Sequence, residues 1–187
     1  MAAAPTLLEG WANFYVIVGS SAGALIGLQF VVIALLADRP HVSGQAQAAG
    51  SAFATPNIVH FSMVLLLAAA LSAPWHSVRG AAILWGVVGV IGIGYQLLIA
   101  HRMRMQRAYQ PVLEDWLFYA LFPLGAYSTL AASAWTAQLH PSGGLIGVAV
   151  GALVLMFVAI HNAWDAASYH IFVGRTRSEP TDPKTGS

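Results

Sequence analysis

WANFYVIVGSSAGALIGLQFVVIALLA, residues 11–37, carries no charged side chain and is bounded by Glu9 before it and by Asp38-Arg39-Pro40 after it. A helix needs about 20 mostly apolar residues to cross the hydrocarbon core of a bilayer, and this run exceeds that. A soluble domain could bury such a stretch only inside a large core covered by polar residues. The chain has 187 residues, 58% of them hydrophobic and only 8% charged, against about 25% charged in ordinary soluble domains. The first run therefore reads as a membrane-spanning helix.

Four more runs follow, at about residues 56–73, 81–100, 116–137 and 145–165, the last with a cytoplasmic extension. Their boundaries carry helix punctuation. Thr55-Pro56 reads as a cap followed by proline in a first turn, Pro74 closes the second run, and Pro141-Ser142-Gly143-Gly144 leads into the fifth. Pro123 falls inside the fourth run, where it should kink the helix and free a carbonyl that neighbouring helices must satisfy. The expectation is an all-α polytopic membrane protein: a five-helix transmembrane domain over 1–175 and a disordered polar tail at 176–187.

Charge sets the expected orientation. Arg39, Arg102, Arg104, Arg107, Arg175, Arg177 and Lys184 fall on one side of this topology and only Arg79 on the other. Basic residues accumulate in cytoplasmic loops, so the N-terminus is expected outside and the C-terminus in the cytoplasm. Trp11, Trp75, Trp85 and Trp135 then mark the outer interface, and Trp116 and Trp164 the inner one. The first run is too long for a signal peptide and has no basic region before it, so it is expected to be retained. A net charge of +1 argues against a nucleic-acid partner. With no cysteine, disulfide and thiolate chemistry are excluded. No Gly-Lys-Ser/Thr phosphate loop, His-Glu-x-x-His pair or Gly-x-Ser-x-Gly setting occurs.

Small residues repeat at helical spacing. Gly19, Gly23 and Gly27 share one face of the first helix, and Gly143, Gly147 and Gly151 one face of the fifth; the third carries Gly86, Gly89 and Gly92. Such faces let helix backbones approach closely, either within one bundle or between copies in an oligomeric channel or transporter.

Polar residues at membrane depth are costly and commonly functional. At 1.5 Å per residue, His60 and His161 each lie about 6 Å inside one leaflet. Asp165 is one turn from His161, Asn57 nearly one turn from His60, and Asp115 opens the fourth helix at the same level. Gln29, Gln96, Tyr119 and Asn162 add polar atoms to that leaflet. Two imidazoles and two carboxylates (His60, Asp115, His161, Asp165) suit Zn²⁺ or another divalent metal, which can activate water for hydrolysis of a lipid-like substrate. Three alternatives stand beside this one. The same residues can act as a polar clamp between helices, with Glu114 and Asp115 paired to nearby arginines. His60 and His161, at matched depth, can bracket a haem, although Phe61 and Phe157 would crowd it. The aliphatic first helix can dock an accessory subunit on a larger membrane complex.

Phe14-Tyr-Val-Ile-Val-Gly-Ser-Ser-Ala-Gly-Ala-Leu-Ile-Gly-Leu-Gln-Phe-Val-Val-Ile-Ala-Leu-Leu36 and Ile160-His-Asn-Ala-Trp-Asp165 resemble elements of small bacterial five-helix integral membrane proteins that have no established function. The resemblance covers most of the chain up to about Val173. It implies a bacterial inner membrane, with lipids as neighbours, and no particular activity.

Overall fold

The structure, a computed structural model, describes residues 7–37, 44–105 and 112–176, with side chains placed for 7–35, 56–105 and 112–168. Arg39, Arg107, Pro111, Arg177, Lys184 and the expected tail beyond Thr176 lie outside the described residues. All regular structure among the described residues is helical. A short 3-10 turn, Glu9–Trp11, leads into α1 (Ala12–Ala37); α2 (Gly44–Leu71) and α3 (Val78–Met105) follow. The continuous helical segment Leu113–Leu139 is α4, and Pro141–Thr176 is α5.

Segments Glu9–Leu35, Val78–Met105, Leu113–Leu139 and Pro141–Ser168 are long and apolar enough to cross a membrane; the apolar stretch of α2, Pro56–Leu71, is shorter. Several boundaries differ from the sequence reading; α3 runs Val78–Met105 rather than 81–100, and α4 starts at Leu113 rather than Trp116. The second helix does not start at Thr55-Pro56 but runs through Pro56 from Gly44. The preceding Gln45-Ala-Gln-Ala-Ala49 consists of good helix formers, and these hold the helix although Pro56 contributes no N–H. The fifth helix starts at Pro141 rather than Leu145. Proline suits a first helical position because its missing N–H would have no partner there, so a single residue, His140, separates α4 from α5.

Glycine determines how the helices pack. α4 lies between α3 and α5, α2 packs on α5, and α1 packs chiefly on α2. A Cβ built on Gly86 would come within 2.8 Å of Ala134 Cβ, and one on Gly89 within 2.6 Å of the Ala131 backbone nitrogen. Across the other face of α4, a Cβ at Gly147 would sit 2.5 Å from Ser133 Cβ, and one at Gly151 would sit 2.8 Å from Leu130 Cδ2. Gly86, Gly89 and Gly92 on one side and Gly147 and Gly151 on the other thus grip α4 inside the bundle. Of the expected fifth-helix series Gly143 is exposed, and the neighbouring Gly144, whose Cβ would overlap Ala137 Cβ, takes its place. In α1, among the described residues, Gly19 alone behaves this way, against Ala68; Cβ atoms at Gly23 and Gly27 would meet no described neighbour.

The core between these helices is mostly apolar: Trp85, Tyr127, Leu130, Leu145, Leu155 and Val64 are fully buried. The outer face is equally apolar, with Val16, Ile17, Phe30, Leu35, Ile83, Val90 and Phe157 exposed. A protein hydrophobic on both its inner and outer surfaces needs an apolar solvent.

Gly89 supplies a direct check on this packing. Gly89→Ala should destabilise the detergent-solubilised protein by about 1–3 kcal/mol, because rigid backbone stands where the methyl would go. Gly94→Ala, with open space around it, should be neutral or slightly stabilising. Thermal unfolding of both variants tests this, and a Gly89→Ala protein as stable as wild type would contradict it.

Candidate functional site

Pro123 organises the polar end of the bundle. Residues 117–121 form a π turn, and the Phe122 N–H bonds back to the Leu117 carbonyl, an i→i−5 bond. That bond takes from Phe118 O the donor it would have in an α-helix. The N–H of residue 123 could serve Phe118 O in the π register, or Tyr119 O in the α register, but proline has none. Two adjacent carbonyls thus lose backbone donors inside an apolar bundle. Two side-chain amides replace them: Asn162 Nδ2 of α5 donates to Phe118 O over 3.3 Å, and Gln96 Nε2 of α3 donates to Tyr119 O. Both amide residues are fully buried. An uncompensated buried carbonyl costs about 1–3 kcal/mol, so each amide contributes on that scale to holding α4 between its neighbours.

The π turn also sets the aromatic face. The Phe118 ring stacks flat on His161, with centroids 3.5 Å apart and planes within 5°. Stacking fixes the imidazole plane and aims its two nitrogens. Nε2 lies 3.5 Å from Glu114 Oε1, and Nδ1 lies 3.2 Å from Asp165 Oδ2, one turn on along α5. Nδ1 is off the line of a hydrogen bond to that oxygen and has no other hydrogen-bond partner among the described residues. One imidazole nitrogen and one oxygen from each carboxylate fall within 4.8 Å of one another. Glu114 is 66% exposed and Asp165 48%, so the cluster opens outward from a half-buried histidine. As ion pairs, groups this exposed contribute little to stability.

Deeper in the bundle, His60 Nδ1 lies 2.9 Å from the Tyr127 hydroxyl, both residues fully buried. Gly92 makes this pair possible: a Cβ at that position would overlap the Tyr127 ring, so only glycine lets the phenol cross α3 toward α2.

The four expected metal ligands therefore do not meet at one point. His161 and Asp165 come together. His60 turns to Tyr127. Asp115 accepts the Val112 N–H through Oδ2 over 3.0 Å, capping the start of its own helix, and the neighbouring Glu114 takes the place expected of it. Neither acid pairs with an arginine among the described residues; the Arg104 guanidinium instead sits 5.7 Å from the Trp116 ring centroid. His60 and His161, the pair considered for haem, face different partners. Asn57 is fully buried, and Gln29 is half-buried with its Oε1 enclosed and without a hydrogen-bond partner among the described residues. Tyr127 was not singled out by the sequence, although a phenol hydroxyl at membrane depth calls for a hydrogen-bond partner.

Comparison with known proteins yields no match to a protein family, to a curated protein or to a solved structure.

The proline–amide relation predicts non-additivity. Asn162→Leu alone should destabilise by about 1–3 kcal/mol. In a Pro123→Ala background, where the backbone regains its N–H and an α register can satisfy both carbonyls, that cost should shrink by more than the roughly 0.5 kcal/mol scatter of independent sites. Equal costs in the two backgrounds, measured by reversible unfolding in mixed micelles, would show that Asn162 does not compensate for the proline.

Proposed function

We propose that this integral membrane protein binds a divalent metal ion where the bundle meets the headgroups, through Glu114, His161 and Asp165. The carrying observation is the His161 imidazole, held flat by Phe118 between two carboxylates whose ligand atoms gather with it within 4.8 Å. One imidazole and two carboxylates are donors of the types that bind divalent metals such as Zn²⁺ and Mn²⁺, and three protein ligands leave coordination positions open. When bound, the ion would supply Lewis-acid activation of water. The protein's own part is to fix the imidazole plane through Phe118 and to leave the site open at headgroup height, where a lipid-like substrate would present a polar bond. Hydrolysis of such a substrate is the reaction class this reading favours.

The topology within this reading has five crossings, with the segment before Pro56 adding length to α2. Arg102 and Arg104 lie at the Glu114 end of α3 and Arg79 at the other end. Applied to these residues and to the sequence as a whole, the basic-residue rule puts the Glu114 end in the cytoplasm and the N-terminus outside. The bacterial inner membrane and the kinship with small five-helix bacterial membrane proteins belong to the same proposal.

Titration of metal-free protein with Zn²⁺ or Mn²⁺ in calorimetry should give one site. His161→Ala and Asp165→Asn should lose it, Glu114→Gln should weaken it by at least tenfold, and Asp115→Asn should keep it. Retention of full affinity by His161→Ala would remove this site from consideration.

One observation favours a second, compatible reading. A Cβ at Gly23 or Gly27 would meet nothing among the described residues, and both lie on a helix whose described surface is otherwise largely exposed and aliphatic. This suits a seam against another copy, in a homo-oligomer, or against a larger membrane complex. Mass measurement in nanodiscs should show an oligomer that Gly27→Leu disrupts; a wild-type monomer at all protein-to-lipid ratios would exclude the homo-oligomeric form.

A further inference from the structure

Several fully buried polar side-chain atoms have no hydrogen-bond partner among the described residues: Asn162 Oδ1, Gln96 Oε1, both amide atoms of Asn57, and His60 Nε2. Their order along α4 can be read from their neighbours. Asn162 is anchored at Phe118, Gln96 at Tyr119, and His60 at Tyr127. Asn57 precedes His60 by nearly one turn on α2, which runs in the same direction as α4. The polar atoms thus climb from the π turn toward the middle of the bundle over nine residues of α4, a rise of about 13 Å at 1.5 Å per residue.

The chemistry of these atoms identifies what they take. The Asn162 and Gln96 NH₂ groups are committed to the carbonyls freed by Pro123, so reversing either amide would set oxygen against oxygen. Their own carbonyl oxygens are therefore held as acceptors in need of donors. For Asn57 reversal changes nothing, because both atoms lack partners. Each such group left dry costs about 1–3 kcal/mol. No Asp, Glu, Lys or Arg is fully buried among the described residues, so nothing in the interior balances a charged guest. A small neutral molecule that both donates and accepts is required. Water meets this need, and buried waters characteristically make two to four bonds of this kind.

We propose that the bundle encloses a hydrated polar column along α4, from the π turn to the His60–Tyr127 pair, through which His60 exchanges protons with solvent at the Glu114 end. Intramembrane histidines served by such paths are the elements of proton relays. The column stands independently of the metal site: its atoms are the amides and His60, not Glu114, His161 or Asp165.

Water-edited solid-state NMR on ¹⁵N-His,Asn-labelled protein in lipid bilayers tests this. Magnetisation should pass from water to the His60 imidazole and the Asn57 amide on the timescale seen for the exposed His101. Asn57→Leu should abolish the transfer to His60 and leave that to His101 unchanged, while His161→Ala should leave both. A wild-type His60 and Asn57 that receive no magnetisation while His101 does would overturn the column. So would an Asn57→Leu protein in which His60 still exchanges at the wild-type rate. If that variant fails to fold, the wild-type spectrum alone decides.

Discussion

A backbone carbonyl in an apolar bundle must have a donor, and Pro123 takes donors away from α4. The lost bonds are recovered only if α3 and α5 bring side-chain amides to Phe118 and Tyr119. That requirement fixes the height of both neighbours against α4, and the glycines of α3 and α5 let them come close enough to meet it. The π turn that results points Phe118 at His161 and so gives the outer cluster its geometry. A single imino acid thus links backbone satisfaction, helix register and the candidate metal site.

The two polar regions differ in what they demand. The cluster at Glu114, His161 and Asp165 is open and carries formal charge, so water or an ion reaches it without crossing the core. The column proposed above it is neutral and buried, and two of its amides, Asn162 and Gln96, are already oriented by the backbone they serve. Low local dielectric makes fully satisfied networks rigid and partly satisfied ones costly. That contrast is why the outer cluster reads as a ligand site and the inner one as a hydration site.

Much of the fold was legible in the sequence because lipid imposes a length rule on apolar runs, and the runs around Val16, Val88, Leu130 and Leu155 obey it. Pro123 also announced its freed carbonyl, and Gln96 and Asn162 stood out as intramembrane amides. What the sequence could not convey was rotation about the helix axes. Glu114 and Asp115 are adjacent, and only the helix start at Val112 decides that Asp115 caps the chain while Glu114 faces His161. His60 shares a depth range with His161 but points to Tyr127, a choice made by the space that Gly92 leaves. The start of α2 was obscured because Pro56 reads equally as a first-turn proline or as one tolerated within a longer helix.

The central claim is that the Asn162 and Gln96 amides stand in for the N–H that proline lacks. Dipolar recoupling NMR between ¹⁵N in the Asn162 side chain and ¹³C in the Phe118 carbonyl measures this contact in bilayers. The account predicts strong dephasing consistent with an amide nitrogen 3.3 Å from the carbonyl oxygen. Absence of dephasing, with Asn162 coupled elsewhere, would contradict it.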